Sequence, residues 1–137
     1  MRIKLLLVGA MVLGVSAAAA AHHAFAAEFD ATKPVKFRGT VTKMLWVNPH
    51  AWIYVDVKKA DGSVEEWMVE AGTPNTLLRR GLTRESLPVG TEITVDGYQS
   101  KDGSLRANGR DLTLPNGQTL FIGSSGTGAP TDEKIKK

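Results

Sequence analysis

The chain has 137 residues, with 17 Lys+Arg against 14 Asp+Glu and no cysteine. A domain without cysteine has no disulfide framework to hold it and depends on its core. Residues 1–21 carry Arg2 and Lys4 and no acid, so without them the balance is 15 − 14 = +1 over 137 − 21 = 116 residues; that excludes a strongly basic nucleic-acid binder and leaves room for one core, not two.

The amino terminus reads as a secretory leader. Met1 to Lys4 is short and basic, Leu5 to Val15 is apolar, and Ser16 to Ala21 is a run of small residues, the three-part pattern of an export signal. The apolar run is shorter than the ~20 residues that a membrane-spanning helix needs. The expectation is a periplasmic protein, with no transmembrane segment once the leader (1–21) is cleaved. Residues 22–34 then form an arm anchored by Phe25 and Phe29 and ended by Lys33-Pro34.

From Val35 the pattern alternates. Val35, Phe37, Gly39, Val41, Leu45 and Val47 fall on one parity, with Lys36, Arg38, Thr40 and Thr42 on the other, which argues for a half-buried strand. Asn48-Pro49-His50 turns the chain. A second strand puts Ala51, Ile53, Val55 and Val57 inside and Trp52, Tyr54, Asp56 and Lys58 outside. Asp61-Gly62 marks a hairpin whose two turn residues supply positive φ angles, and Val64 to Val69 is a third strand. Thr73-Pro74 is a helix start, Asn75 to Arg80 its body, and Gly81 its stop. Thr83 to Leu87 adds one turn. A fourth strand follows Val89-Gly90-Thr91, an Asp102-Gly103 turn leads to a fifth over Leu105 to Leu114, and Thr119 to Ile122 returns after Pro115-Asn116-Gly117. Residues 124–137 are a Gly/Ser/Thr-rich and then charged tail.

Three strands, a short helix and two more strands match the five-stranded OB pattern, a small closed barrel with its helix between strands three and four. The expected fold is therefore an all-β, OB-like domain over residues 35–123. An open sheet packed on the helix is the alternative.

Several stretches carry a resemblance. His22-His-Ala-Phe-Ala-Ala-Glu-Phe-Asp30, Gly39-Thr-Val-Thr42, Trp46-Val-Asn-Pro-His-Ala-Trp52, Gly72-Thr-Pro-Asn-Thr-Leu-Leu-Arg-Arg80 and Asp102-Gly-Ser-Leu-Arg-Ala-Asn-Gly-Arg110 resemble an uncharacterised family of small exported bacterial proteins, a domain of unknown function. The resemblance implies a periplasmic single domain and carries no catalytic residues. At the level of fold the chain is also similar to periplasmic OB-fold copper and silver chaperones, which hold Cu(I) with histidine, methionine sulfur and a tryptophan face. Their residue order does not match this one motif for motif.

The chemistry-bearing residues are few. The histidines are His22, His23 and His50. Cleavage after Ala21 would make His22 the first residue, and cleavage after Ala20 or Ala19 would put a histidine third. A free amine, deprotonated amides and an imidazole then form a nitrogen set that suits Cu(II) or Ni(II). Cleavage after Ala26 would discard both. His50 lies in the first strand turn, flanked by Asn48, Trp46 and Trp52, with Met44 nearby as a soft donor for Cu(I). The bland alternatives are a solvated histidine pair, and tryptophans that only cover the barrel end. Arg79, Arg80 and Arg110 suggest an anion-binding patch, against a solvated face.

No nucleophile–base pair, HExxH or phosphate loop occurs, and Glu65, Glu66 and Glu70 read as a surface row. The sequence thus suggests a periplasmic, non-enzymatic copper-binding accessory protein using His22, His23, His50, Met44 and Trp46, whose partner is the metal or another periplasmic protein. The alternative is a metal-free module binding a protein or small ligand through Trp46, Asn48, His50, Trp52 and the arginines.

Overall fold

The computed structural model describes residues 25–123. Residues 25–28 are helical and lead into β1 (Phe29–Leu45). Then follow β2 (Trp52–Lys58), β3 (Val64–Glu70), helix α1 (Pro74–Arg79), a 3₁₀ turn (Arg84–Ser86), β4 (Glu92–Ser100), β5 (Arg106–Thr113) and β6 (Thr119–Phe121). Among the described residues no helix is long and apolar enough to cross a membrane.

The strands make one sheet in the order β3-β2-β1-β4-β5-β6, and β3 also pairs with β5. That extra pairing is parallel, from Met68↔Arg106 to Glu70↔Asn108, and it closes β1, β2, β3, β5 and β4 into a ring. The other neighbours in the ring are antiparallel. The second half of β5 pairs with β6 instead, at Asp111↔Phe121 through Thr113↔Thr119. Closure covers part of the β3 and β5 edges, which would otherwise invite aggregation, and leaves the short β6 as an edge strand. The all-β expectation holds, and the returning hairpin forms a sixth strand.

The ring's interior is apolar. Val41, Ile53, Val55, Val69, Ile93, Val95 and Leu112 are buried in one cluster, with Leu77, Leu82 and Leu87 brought in from the helix and the segment after it. The helix forms where the sequence placed it. The Thr73 side chain accepts from the Thr76 amide at 3.2 Å and Pro74 takes the first position. At the other end Leu82 N–H donates to Leu77 O and Gly81 N–H to Leu78 O, both at 3.0 Å. This is a Schellman stop, and its left-handed residue is Gly81 at φ +88°. Its two apolar ends, Leu77 and Leu82, meet in the core.

β1 is long because it starts six residues before the alternation becomes visible. Residues 29–34 belong to the strand rather than to a separate arm, although the register with β4 is irregular between Phe29 and Pro34. A bulge between Val41 and Lys43 then leaves Thr42 without a partner across β2. One extra residue flips every side chain beyond it to the opposite face. Met44, opposite Ile53, and Trp46 therefore pack against the core, while Val47, expected inside, is exposed.

The hairpin turns also depart from expectation. Asp61 has no positive φ; only Gly62 does, at +86°. Gly62 N–H donates to Lys59 O, and Lys59 N–H to Ser63 O. The Asp61 carboxylate accepts from the Ser63 amide at 2.9 Å. The glycine takes the left-handed position after an ordinary turn, and the aspartate holds the turn through its side chain. The Asp102-Gly103 and Asn116-Gly117 turns follow the same plan.

Candidate functional site: the His50–Glu70 cleft

β2, β3 and β5 bury Ile53, Val69 and Ala107, so strand alternation sends Trp52, Glu70 and Asn108 to the outside. Register lines them up: Trp52 faces Glu70, Glu70 faces Asn108, and Asn108 faces Tyr98 of β4. This is one row across four strands on the outer face. The segment leading into β1 lies over it. Phe25, Phe29 and Tyr98 form a buried cluster separate from the main core. The Phe25 ring stacks on Phe29 with centroids 5.9 Å apart and meets Tyr98 edge-on at 5.6 Å.

Beside this cover is a cleft of about 220 Å³, lined by Phe25, Glu28, Phe29, Pro49, His50, Glu70 and Asn108. His50 is held beside it because the backbone of the next residue is pinned at both ends: Ala51 N–H donates to Gly72 O, and Ala71 N–H to Ala51 O. His50 Nδ1 donates to Glu70 Oε1. The His50 side chain keeps 23% of its exposure and that of Glu70 only 10%. Burial pushes the Glu70 carboxyl above its usual range; His50 opposes the shift, Glu28 adds to it and Arg106 opposes it. A carboxylate shielded this way is worth most when a cationic or N–H partner stays on it.

Arg106 ties the cover to the sheet. Its Nη2 lies 2.7 Å from Glu28 Oε2. Its guanidinium sits 5.8 Å from the Phe29 ring centre and 5.6 Å from that of Trp52.

The arrangement offers an imidazole whose tautomer is fixed. With Nδ1 carrying the proton for Glu70, Nε2 is the basic nitrogen. A carboxylate behind a histidine is the usual support for a metal-ligating imidazole. Among the described residues no three His, Asp or Glu side chains converge into a group that could hold a metal; His50 is the histidine the described cleft contributes.

A model described as a family of unknown function, DUF6152, matches residues 10–109. The chain belongs to the DUF6152 family. No curated protein matches it. The DUF6152 match spans His50, Glu70, Glu28, Arg106 and Asn108, and it ends one residue before Arg110.

Of the residues singled out in the sequence, His50 is in the cleft and Trp52 beside it under Arg106. His22 and His23 lie outside the described residues, as do the leader and the tail. Met44 and Trp46 pack on the inner face, so Trp46 and Trp52 do not form one platform. Asn48 is exposed in the loop. The arginines are already engaged. Arg79 Nη2 is 3.4 Å from Thr76 Oγ1. Arg80 Nη1 donates to the Gly123 and Phe121 carbonyls, and its guanidinium stacks 4.4 Å from the Phe121 ring centre. Arg110 Nε lies 2.6 Å from Asp111 Oδ2, and Tyr98 is a further hydrogen-bond partner. Arg110 borders a second cavity, of about 390 Å³, with Pro34, Asp96 and Tyr98.

The sequence reading missed Glu70, Glu28 and Arg106. Glu70 had been grouped with Glu65 and Glu66 as surface. The available signal was Phe25 and Phe29, spaced four apart with Glu28 between them. Such a pattern fits an apolar landing place with a cation beside it; Tyr98 supplies the first and Arg106 the second.

Proposed function

We propose that this DUF6152 member is an exported, non-enzymatic accessory protein that binds copper at the His50 cleft. In this reading residues 1–21 are a cleaved leader, the compartment is the periplasm, and the closed ring is an OB-like barrel. Two features support the barrel reading: the parallel β3–β5 closure and a helix between β3 and β4.

The observation that carries the metal reading is the buried Glu70 behind His50 Nδ1. It leaves Nε2 turned away from the carboxylate and able to take a metal, as carboxylates behind metal-ligating histidines do. The other donors come from the mature amino terminus. His23 is two residues from Phe25 and His22 three, so each is within roughly 7–10 Å of a residue that lines the cleft, by chain length alone. Amine and imidazole nitrogens favour Cu(II) over Cu(I). The inward packing of Met44 and Trp46 leaves the nitrogen donors as the basis of the reading.

The test begins with the intact mass of the secreted protein, with and without copper, which fixes the first residue. Cu(II) titration follows, on the mature chain and on His50→Ala and Glu70→Gln. His50→Ala is expected to change both affinity and spectrum. Glu70→Gln is expected to weaken binding about 10–100-fold through loss of the orienting carboxylate. An unchanged affinity and spectrum in His50→Ala would reduce any bound copper to the generic terminal kind.

A second reading is a metal-free module for a small ligand or protein, favoured by the cavity beside Arg110 and Tyr98. A ligand retained equally with and without chelator, and lost in Arg110→Ala, selects it.

A further inference from the structure

Beyond the β1–β4 pairing that begins at Phe29↔Ser100, the segment carrying Phe25, Glu28 and Phe29 touches the rest of the molecule through three kinds of contact. One is apolar: the Phe25–Phe29–Tyr98 cluster. The second is at the 101–104 turn, where Lys101 N–H donates to Glu28 O at 2.8 Å and Lys101 Nζ to Ala26 O. The third is Arg106. It alone joins both chemistries, pairing with the Glu28 carboxylate while its guanidinium lies 5.8 Å from the Phe29 ring centre and 5.6 Å from that of Trp52. Arginine suits this position: its planar group can stack and donate at once, where lysine offers a single point charge.

Arg106 also sits beside Glu70 and contributes to its electrostatics, as does Glu28. The same ion pair therefore borders the cleft and holds its cover.

We infer that Arg106 is the positioning residue of the His50 cleft, the clamp that fixes residues 25–28 over Glu70 and so keeps the cleft shaped for the copper that His50 binds. The second half of this statement rests on the copper reading; the first half does not.

The test reads the two halves separately. Amide hydrogen exchange of Lys101 reports arm docking directly, because its acceptor is the Glu28 carbonyl. In Arg106→Met, Lys101 exchange is expected to accelerate at least tenfold while the Ile53 amide in β2 is unchanged. Arg106→Lys keeps the charge and loses the planar guanidinium, and should fall between. Glu28→Gln, on an exposed residue, gives a smaller acceleration of the same sign and carries the test if Arg106→Met does not fold. Lys101 exchange equal to wild type in folded Arg106→Met, or in Glu28→Gln if that is the variant measured, overturns the clamp.

Cu(II) binding by the mature Arg106→Met chain is the second readout. Loss of the His50-dependent part of the spectrum together with faster Lys101 exchange supports both halves. Faster exchange with copper binding that never depended on His50 keeps the clamp and overturns its role in metal binding.

Discussion

The two faces of β2, β3 and β5 are made of alternate residues of the same strands, yet they are stabilised in different ways. Inside, Ile53 and Val69 are fully buried among aliphatic side chains, with no ionisable group in the cluster. Outside, Trp52, Glu70 and Asn108 meet an aromatic cover, a histidine and an ion pair. The inner face depends on volume and on closure of the ring. The outer face depends on one segment staying in place. The inner face should fail only with the whole fold, whereas the outer face should open by itself.

The largest effect is expected inside. Ile53→Ala removes methylene groups from a site with no exposure and should cost about 2–5 kcal/mol. Chemical denaturation would show it as a lower midpoint with an unchanged slope. A loss below that range would mean the ring collapses onto the cavity, and the contrast of rigid interior with movable cover would weaken.

Phe25→Ala probes the other face. Phe25 is buried, at 5% exposure, but its partners are Phe29 and Tyr98 rather than the main cluster. Loss of the ring pairs should cost about 0.5–1.5 kcal/mol beyond burial. The readout is local: amides of the arm and Lys101 exchange faster while that of Ile53 does not. If Phe25→Ala instead lowers the unfolding midpoint as much as Ile53→Ala, the two faces are one cooperative unit and the comparison fails.

The same contrast explains what could be read from the sequence. Signals within a strand or a turn were legible: Ile53, Val55 and Ile93 by alternation, the helix by Thr73-Pro74 and Gly81, the hairpins by their glycines. The Thr42 bulge left one mark, Lys43 on the apolar parity with Met44 on the polar one, but that mark alone does not say which residue lacks a partner, and that one residue decides where Met44 and Trp46 point. The site was half legible. His50 stood out by chemistry. Glu70 did not, because its burial comes from Phe25 and Phe29, far away in sequence, and local pattern cannot report a cover that arrives from elsewhere. The turn type was misread for a similar reason: Asp61 and Asp102 hold their turns by side-chain acceptance and do not need the positive φ assumed for them.

The smallest effect separates the faces by pH. The Asp102 carboxylate is pulled down to about 2 by the Ser104 side chain, then the Ser100 side chain and the Ser104 amide. Ser100, itself buried, is 2.7 Å away, and the next residue, Lys101, holds the arm. A carboxyl lowered on folding binds fewer protons in the native state than in the unfolded one. Its contribution is complete above the ordinary value of 3.8 and is lost as pH falls through about 2. Glu70 has the opposite sign: burial raises it, so its charge penalty is present at higher pH and relieved as pH falls through the raised value. Neither carboxyl belongs to the inner cluster. Acidification should therefore loosen the Lys101 amide only near the lower end of this range, with the Ile53 amide still protected. A carboxyl-carbon titration of Asp102 by NMR checks the premise. A midpoint near 3.8 would mean the serines do not hold the turn, and the arm would then have to be fixed from the Arg106 side alone.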